Sequence, residues 1–276
     1  MVPVKRVMGC HLEIEVFDPT EVELQVAVSG AWDEGQVAES LRCTLDGRPV
    51  DVREVRDPAG ARIHVLDAGP GRLVVDYDAE VTGRARPATG AAHQRSLYLR
   101  PSRYAEADKF FGFAATEFAD VVEEHGDDAA VLLPYVAAWV GSRLDYVPGA
   151  SGPTDSAKDT LLAGAGVCRD YSHLTVALLR ALGVPARLAA VYAPGCDPMD
   201  FHAVAEALVG DTWHVADATC LAPRSSLVRI ATGRDAADTA FCDNHGGGIQ
   251  LHVSQVHAIV DGDLPGDDLA ELVAIT

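Results

Sequence analysis

Residues 164–187 read GAGVCRDYSHLTVALLRALGVPAR. Tyr171, Leu174, Leu178, Leu179 and Leu182 recur at i, i+3, i+7, i+8 and i+11, one apolar stripe at helical period. Gly183 supplies a left-handed stop and Pro185 bars any continuation. The spacing predicts an amphipathic helix from about Cys168 to Leu182, entered from a flexible Gly-Ala-Gly-Val lead. Such a stripe must be covered by another layer, which restricts the folds open to the chain. The helix opens on a cysteine, where Ser, Thr or Asp would cap better. Orphan N–H groups and the positive end of the helix dipole favour a thiolate there. Sites of that kind lower a cysteine pKa from ~8.5 toward ~3.5–7.5. The same position also suits a small buried hydrophobe.

The flanking regions alternate at period two. In EVELQVAV, Val22, Leu24, Val26 and Val28 share one face against Glu21, Glu23 and Gln25. Asp46-Gly47 marks a turn, and RIHVLDAGPGRLVVDY reads as a hairpin around Gly69-Pro70-Gly71. Residues 1–95 therefore read as a β-rich N-terminal domain, a small antiparallel sandwich. From Ser102 to Gly141 the pattern becomes helical, with Tyr135, Val136, Trp139 and Val140 as an apolar face and Pro134 expected near a helix start. Residues 147–155 form a loop, after which Thr154 or Asp155 caps a short helix running to Gly164. Strand-like segments follow at 187–193, 201–209, 212–219 and 249–260. The expected class is α+β, with 96–276 as a catalytic core that includes the C-terminal strands.

Composition narrows the function. The 276 residues carry 22 Lys and Arg against 41 Asp and Glu, a formal charge of −19. Nucleic acid and anionic membrane are therefore not expected partners, because phosphate contact needs clustered cations. No apolar run approaches the ~20 residues needed to span a bilayer. MVPVKRVMGCHLEIEV carries no apolar export segment, so neither secretion nor lipid attachment at Cys10 is expected. The six cysteines (10, 43, 168, 196, 220 and 242) form no CxxC pair and no zinc spacing. Reduced thiols in the cytoplasm, with no metal and no cofactor, are the expectation. Oligomeric state has no signature.

A nucleophilic thiol needs a base, and the base an orienting group. Gly210-Asp211 separates two strand-like runs and reads as a two-residue turn, which pairs Val209 with Thr212. In that register Asp217 faces Val204 and His202 faces Thr219. His202 and Asp217 are then diagonal neighbours on one face. A three-residue loop would part them. His214 falls on the other face and reads as a surface or packing residue. Taken singly, His202 is also readable as a structural histidine and Asp217 as a solvated strand-end charge.

The pattern GxGVCRDYSHL, ALLRALGVPAR and FHAVAEALVGDTWHVADAT resembles the bacterial, cysteine-protease branch of the transglutaminase-like superfamily. The likeness extends through YLRPSRYAEAD (98–108) and RIATGRDAADTAF (229–241), covering about residues 96–262. It implies a papain-related core with a Cys-His-Asp triad: a helix bearing Cys168 packed on an antiparallel sheet bearing His202 and Asp217. Cys168 matches the nucleophile, His202 the base and Asp217 the orienting acid. Ser172 departs from the family's usual Ala. Residues 1–95 are similar, more weakly, to the β-rich region that often precedes this core.

The resemblance implies thiol-dependent hydrolysis or acyl transfer at amide bonds through a thioester acyl-enzyme, on a peptide, protein or small amide. Two other readings stand beside it: a catalytically silent scaffold that keeps the fold, and an amide-forming biosynthetic acyltransferase. Four more residues are substrate-binding candidates. Arg169 is placed to clamp an anionic group or to point to solvent, and Trp139 to flank the reacting oxygen or to join the core. Arg234 and Asp235 belong either to a substrate rim or to a buried Arg–Asp network holding the C-terminal strands.

Overall fold

The computed structural model describes residues 4–276. Seven strands come first: β1 (Lys5–Val16), β2 (Thr20–Leu24), β3 (Val37–Leu45), β4 (Arg48–Pro49), β5 (Arg53–Arg56), β6 (Arg62–Ala68) and β7 (Gly71–Thr82). Helices α1 (Ala92–Leu97), α2 (Phe111–Glu117), α3 (Ala119–His125) and α4 (Ala129–Arg143) follow. Then come β8 (Asp145–Tyr146), α5 (Ala157–Ala163), β9 (Ala165–Gly166) and α6 (Cys168–Ala181). The chain closes with β10 (Ala186–Tyr192), β11 (His202–Val209), β12 (Thr212–Ala216), β13 (Val228–Gly233), β14 (Cys242–His245) and β15 (Ile249–Val260).

The N-terminal strands build two antiparallel sheets, ordered β15-β1-β7-β3-β4 and β14-β2-β6-β5. Alternation in β1 turns Met8, Cys10, Leu12, Ile14 and Val16 inward, against Val22 and Leu24 of β2 and Leu73, Val75 and Tyr77 of β7. Asp46-Gly47 makes the expected tight turn, with φ of 49° and 75° and Leu45 paired with Arg48.

Two expectations change. Gly69-Pro70-Gly71 does not close a hairpin, because β6 pairs with β2 and β5 while β7 pairs with β1 and β3. The turn carries the chain from one sheet to the other. The C-terminal strands assigned to the core also leave it: β14 pairs with β2, and β15 pairs along the whole of β1. Both strands thereby complete the sandwich, whose interior includes Tyr192, Val228 and Ile230 from the second half of the chain.

The other half is a four-stranded antiparallel sheet, β12-β11-β10-β13, packed against α6. Ala186, Ala205, Ala207 and Ala216 form the strip under the helix, and their small side chains let it approach closely. Leu174, Leu178 and Leu179 are fully buried there, each worth roughly 1.5–3 kcal/mol. α6 is more enclosed than an amphipathic helix: every residue from Asp170 to Arg180 is buried, with α4 and α5 on its other sides. Its polar residues are accordingly bonded internally. Thr175 donates to the Tyr171 carbonyl at 2.8 Å, and Arg180 donates to the carbonyls of Ala186, Arg100 and Arg234.

Smaller corrections share this origin. The buried face of α4 is Leu132, Leu133, Val136, Ala137 and Val140, leaving Tyr135 exposed. Pro134 sits in the second turn of α4, where one helical hydrogen bond is lost. The cap of α5 is Ser156, whose N–H and hydroxyl donate to Asp159 at 3.1 and 2.8 Å.

Candidate active site

Cys168 is the first residue of α6, so its N–H has no partner within the helix. The lead into it is fixed rather than flexible. Ala165 and Gly166 pair in parallel with Asp145 and Tyr146, and Gly164 takes the left-handed conformation, φ 67°. Asp170 is fully buried and folds back over the lead, accepting the Val167 N–H at 2.8 Å and the Arg169 Nε–H at 3.1 Å. Ser151 bonds the same carboxylate.

The β11–β12 turn is the two-residue one expected, with Val209 opposite Thr212 and Ala205 opposite Ala216. His202 and Asp217 meet on one face, and His202 Nε2–H donates to Asp217 Oδ2 at 2.7 Å. Asp217 also accepts the Thr219 N–H at 2.9 Å and the Thr219 hydroxyl at 2.6 Å. The other imidazole nitrogen is free of Asp217, and the Cys168 thiol is close enough to His202 to add to the rise of its pKa. The thiol also lies 3.9 Å from the Phe201 carbonyl oxygen.

Burial opposes the His202 imidazolium, but the charge and hydrogen bond of Asp217, with Cys168 added, raise its pKa well above 6.5. Burial likewise opposes the Asp217 carboxylate, yet His202 and Thr219 bring it below its usual range. Each partner thus favours the charged form of the other.

Cys168 and His202 line a cleft of ≈ 670 Å³ between the sheet, the start of α6 and the N-terminal sandwich. Its walls are largely apolar: Leu188, Ala190, Ile230, Phe201 and Phe241, the two phenyl rings stacked at 4.7 Å. Gln25 reaches in from the sandwich. A separate cavity of ≈ 320 Å³, between α4 and the C-terminal tail, touches Asp217 but neither Cys168 nor His202. Among the described residues, no group of three or more His, Cys, Asp or Glu side chains is arranged to hold a metal ion.

The model of the transglutaminase-like superfamily matches residues 117–218, a span that contains Cys168, His202 and Asp217. A crystal structure of a "putative cysteine protease" from Cytophaga hutchinsonii is 30% identical and superposes with a TM-score of 0.83, covering 97% of this chain and 94% of that one. The chain belongs to the transglutaminase-like superfamily. An uncharacterised protein of Mycobacterium leprae is 31% identical over 128 residues, 44% of this chain and 45% of that protein. The match thus spans under half the length of that curated relative.

Within this transglutaminase-like chain the remaining candidates take different places. Arg169 lines the cleft, but its guanidinium is committed to Asp170 at 2.8 Å, the Gly152 carbonyl at 2.7 Å and Ser151 at 3.1 Å. Trp139 stands apart, packed edge-on against Phe113 and Phe118 and donating to Glu117 at 2.8 Å. Arg234 pairs on the surface with Asp238. Asp235 is buried, and it accepts backbone N–H groups of Tyr104 and Ala237 rather than pairing with Arg234. Ser172 donates to the Cys168 carbonyl at 2.8 Å, which its hydroxyl allows and Ala would not.

Tyr146 is the neighbour the sequence did not reveal. Its strand pairs with Gly166, which brings the phenol beside Cys168. Burial and then the Cys168 and Cys196 thiols push its pKa up, while the Cys168 N–H pulls the other way. A two-residue strand carries no period to read.

Proposed function

We propose that the protein is a thiol-dependent hydrolase or acyltransferase acting on amide bonds, with Cys168 as nucleophile, His202 as base and Asp217 as orienting acid. The observation that carries this is the buried His202–Asp217 hydrogen bond at the edge of a cleft that Cys168 also lines. His202 takes the thiol proton, and Asp217 holds the imidazolium and its orientation. The thiolate forms a bond to the amide carbon, and the oxyanion develops near the Cys168 N–H. Collapse breaks the C–N bond, and the leaving amine takes the proton from His202. Water or a second amine then attacks the thioester, giving its proton to His202 as the thiolate departs.

The apolar walls suit an apolar acyl group. The sandwich has a role in this scheme, since Gln25 and the residues returning toward it, Phe241 to Asp243, form part of the cleft. In this reading the sandwich comprises residues 1–95 together with the returning strands β14 and β15. Six free cysteines fit a reducing compartment, which supports the cytoplasm, and among the described residues no helix is long and apolar enough to cross a membrane.

Alkylation with iodoacetamide at neutral pH tests the nucleophile. Burial pushes Cys43 up to about 11 and both Cys10 and Cys242 up to about 12, and it raises Cys196 and Cys220 as well. A thiol two units above the ordinary value has roughly a hundredfold less thiolate. Peptide mapping is expected to find Cys168 labelled first by a wide margin. Acyl donors offered with and without amines should leave a mass adduct on Cys168 and none on Cys168→Ala. Labelling of Cys168 no faster than Cys43, with no adduct from any donor, would favour the scaffold reading.

A further inference from the structure

His173 is a fully buried histidine on α6 that the scheme above does not use. It follows Cys168 by five residues, about 7.5 Å along the helix axis. Its Nε2 accepts the Ala236 N–H at 3.1 Å, and its ring stacks on Tyr104 with centroids 5.3 Å apart and planes at 20°. Tyr104, Ala236 and Ala237 all line the cleft. Next to it, Asp235 accepts the Tyr104 N–H at 2.8 Å and the Ala237 N–H at 2.9 Å. Ala236, Ala237 and Ala240 present only methyl groups and backbone to the cleft; Gln25 donates to the Asp238 carbonyl at 3.2 Å further along the wall, while Ala236 has no side-chain hydrogen bond of its own to keep it in place. It is held from behind.

We propose that His173 is a positioning residue: by accepting the Ala236 N–H, it sets how far the alanine wall stands from Cys168. The inference rests on Cys168 being the nucleophile. One rigid helix then carries both the attacking atom and the anchor of the opposing wall, so the width of the acyl site is fixed within a single element.

The bond requires an unprotonated Nε2, hence the neutral Nδ1–H tautomer. The protein supplies that state. Burial brings the His173 pKa down to about 4, with Arg169 and Arg180 of α6 adding to the fall and Asp235 and Asp170 opposing it. Tyr104 stacks on the ring without charge. Between pH 5 and 8 His173 is therefore an acceptor. Its Nδ1 finds no partner in the protein, an arrangement that an apolar side chain of similar size would avoid at no loss of packing. What the imidazole provides and an apolar side chain would not is an acceptor aimed at Ala236.

The test compares His173→Leu, which keeps bulk but removes the acceptor, with His173→Gln, whose amide oxygen restores one. Each is labelled at Cys168 by iodoacetamide and by a chloromethyl ketone carrying a bulky apolar side chain. For His173→Leu the expected result is an unchanged iodoacetamide rate and a bulky-probe efficiency down about tenfold, the loss falling on the binding constant, as for one forfeited hydrogen bond. His173→Gln should recover most of it. The Ala236 amide should exchange hydrogen faster in His173→Leu than in the parent or in His173→Gln. Equal losses with both probes, no rescue by Gln, or unaltered Ala236 exchange would overturn the proposal. If His173→Leu does not fold, His173→Gln decides: parent-like probe ratios and Ala236 protection support the proposal, and loss of either overturns it. Slow iodoacetamide labelling of the parent would instead overturn the nucleophile assignment.

Discussion

His202 stands between opposing demands, and the balance fixes a pH response. Burial alone would hold it neutral; the Asp217 carboxylate at 2.7 Å holds it charged. Its folded pKa exceeds the unfolded value, so its contribution to stability is complete below about 6.5 and fades as pH rises through the higher folded value. Asp217 is depressed, so its contribution holds above about 3.8–3.9 and is lost as pH falls through its folded value. The pair is therefore most stabilising from mildly acidic pH to above neutrality. In the parent, the His202 Cε1–H resonance should not titrate between pH 6 and 7. In Asp217→Asn the largest opposing charge is gone while burial and Cys168 remain, so His202 should titrate lower than in the parent. The same variant should lose acyl transfer by something on the order of 10⁴ if it behaves as serine triads do. An unmoved titration would mean that Asp217 is not what charges the imidazole. These residues were legible because a helix start and a two-residue turn are local features. Tyr146 was not, since only the pairing of two distant dipeptides brings it beside Cys168.

At the scale of elements, the segment joining α5 to α6 does the positioning, and Gly166 is its tightest point. A Cβ built there would lie 2.7 Å from Asp170 Cβ and 2.9 Å from its Oδ2. Asp170 cannot easily yield, because its carboxylate is fully buried and bonded to Val167, Arg169 and Ser151. Gly166→Ala is expected to cost about 1–3 kcal/mol, as overpacking does. For a chain of this size that is a fall in melting temperature of roughly 2–4 °C per kcal/mol. Cys168 labelling should slow as well, since the clash lies two residues from the thiol. Gly112→Ala in α2 is the control: its added methyl meets nothing within 4 Å, and helix propensity favours it. Equal melting temperatures for the two variants would show that Asp170 moves freely. The sequence displayed this segment as a glycine-rich lead, yet its rigidity comes from Asp170 folding back and from β8 alongside. The turn at Gly69-Pro70-Gly71 teaches the same limit. Turn residues announce that the chain reverses, while the sheet that the next strand joins is decided by contacts far away in sequence.

Over the whole molecule, charge and topology converge on the cleft. The chain begins in the sandwich, builds the core, and returns in β14 and β15 to complete the sandwich, so residues 25 and 241–243 meet above Cys168. That return brings Asp243 to the cleft, which Asp200 from the approach to β11 also lines, and both are exposed. The lone guanidinium among the lining residues, on Arg169, is already bonded to Asp170, Ser151 and Gly152. With a formal charge of −19 around it, the cleft presents a negative potential to an arriving substrate. A unit charge about 4 Å away in water is worth about 1 kcal/mol, roughly a fivefold effect. Acyl donors matched in shape but bearing one positive or one negative charge near the scissile bond should therefore differ by about 5- to 25-fold in kcat/KM at low salt, the cationic one being favoured. Salt at about 0.5 M should compress that ratio several-fold, because these carboxylates are exposed and the screening length falls below 5 Å. Asp200→Asn combined with Asp243→Asn should lower the ratio at low salt without slowing a neutral donor. A preference for the anionic donor would require Arg169 to leave three internal partners, and a crystal structure with that donor bound would show the guanidinium turned into the cleft.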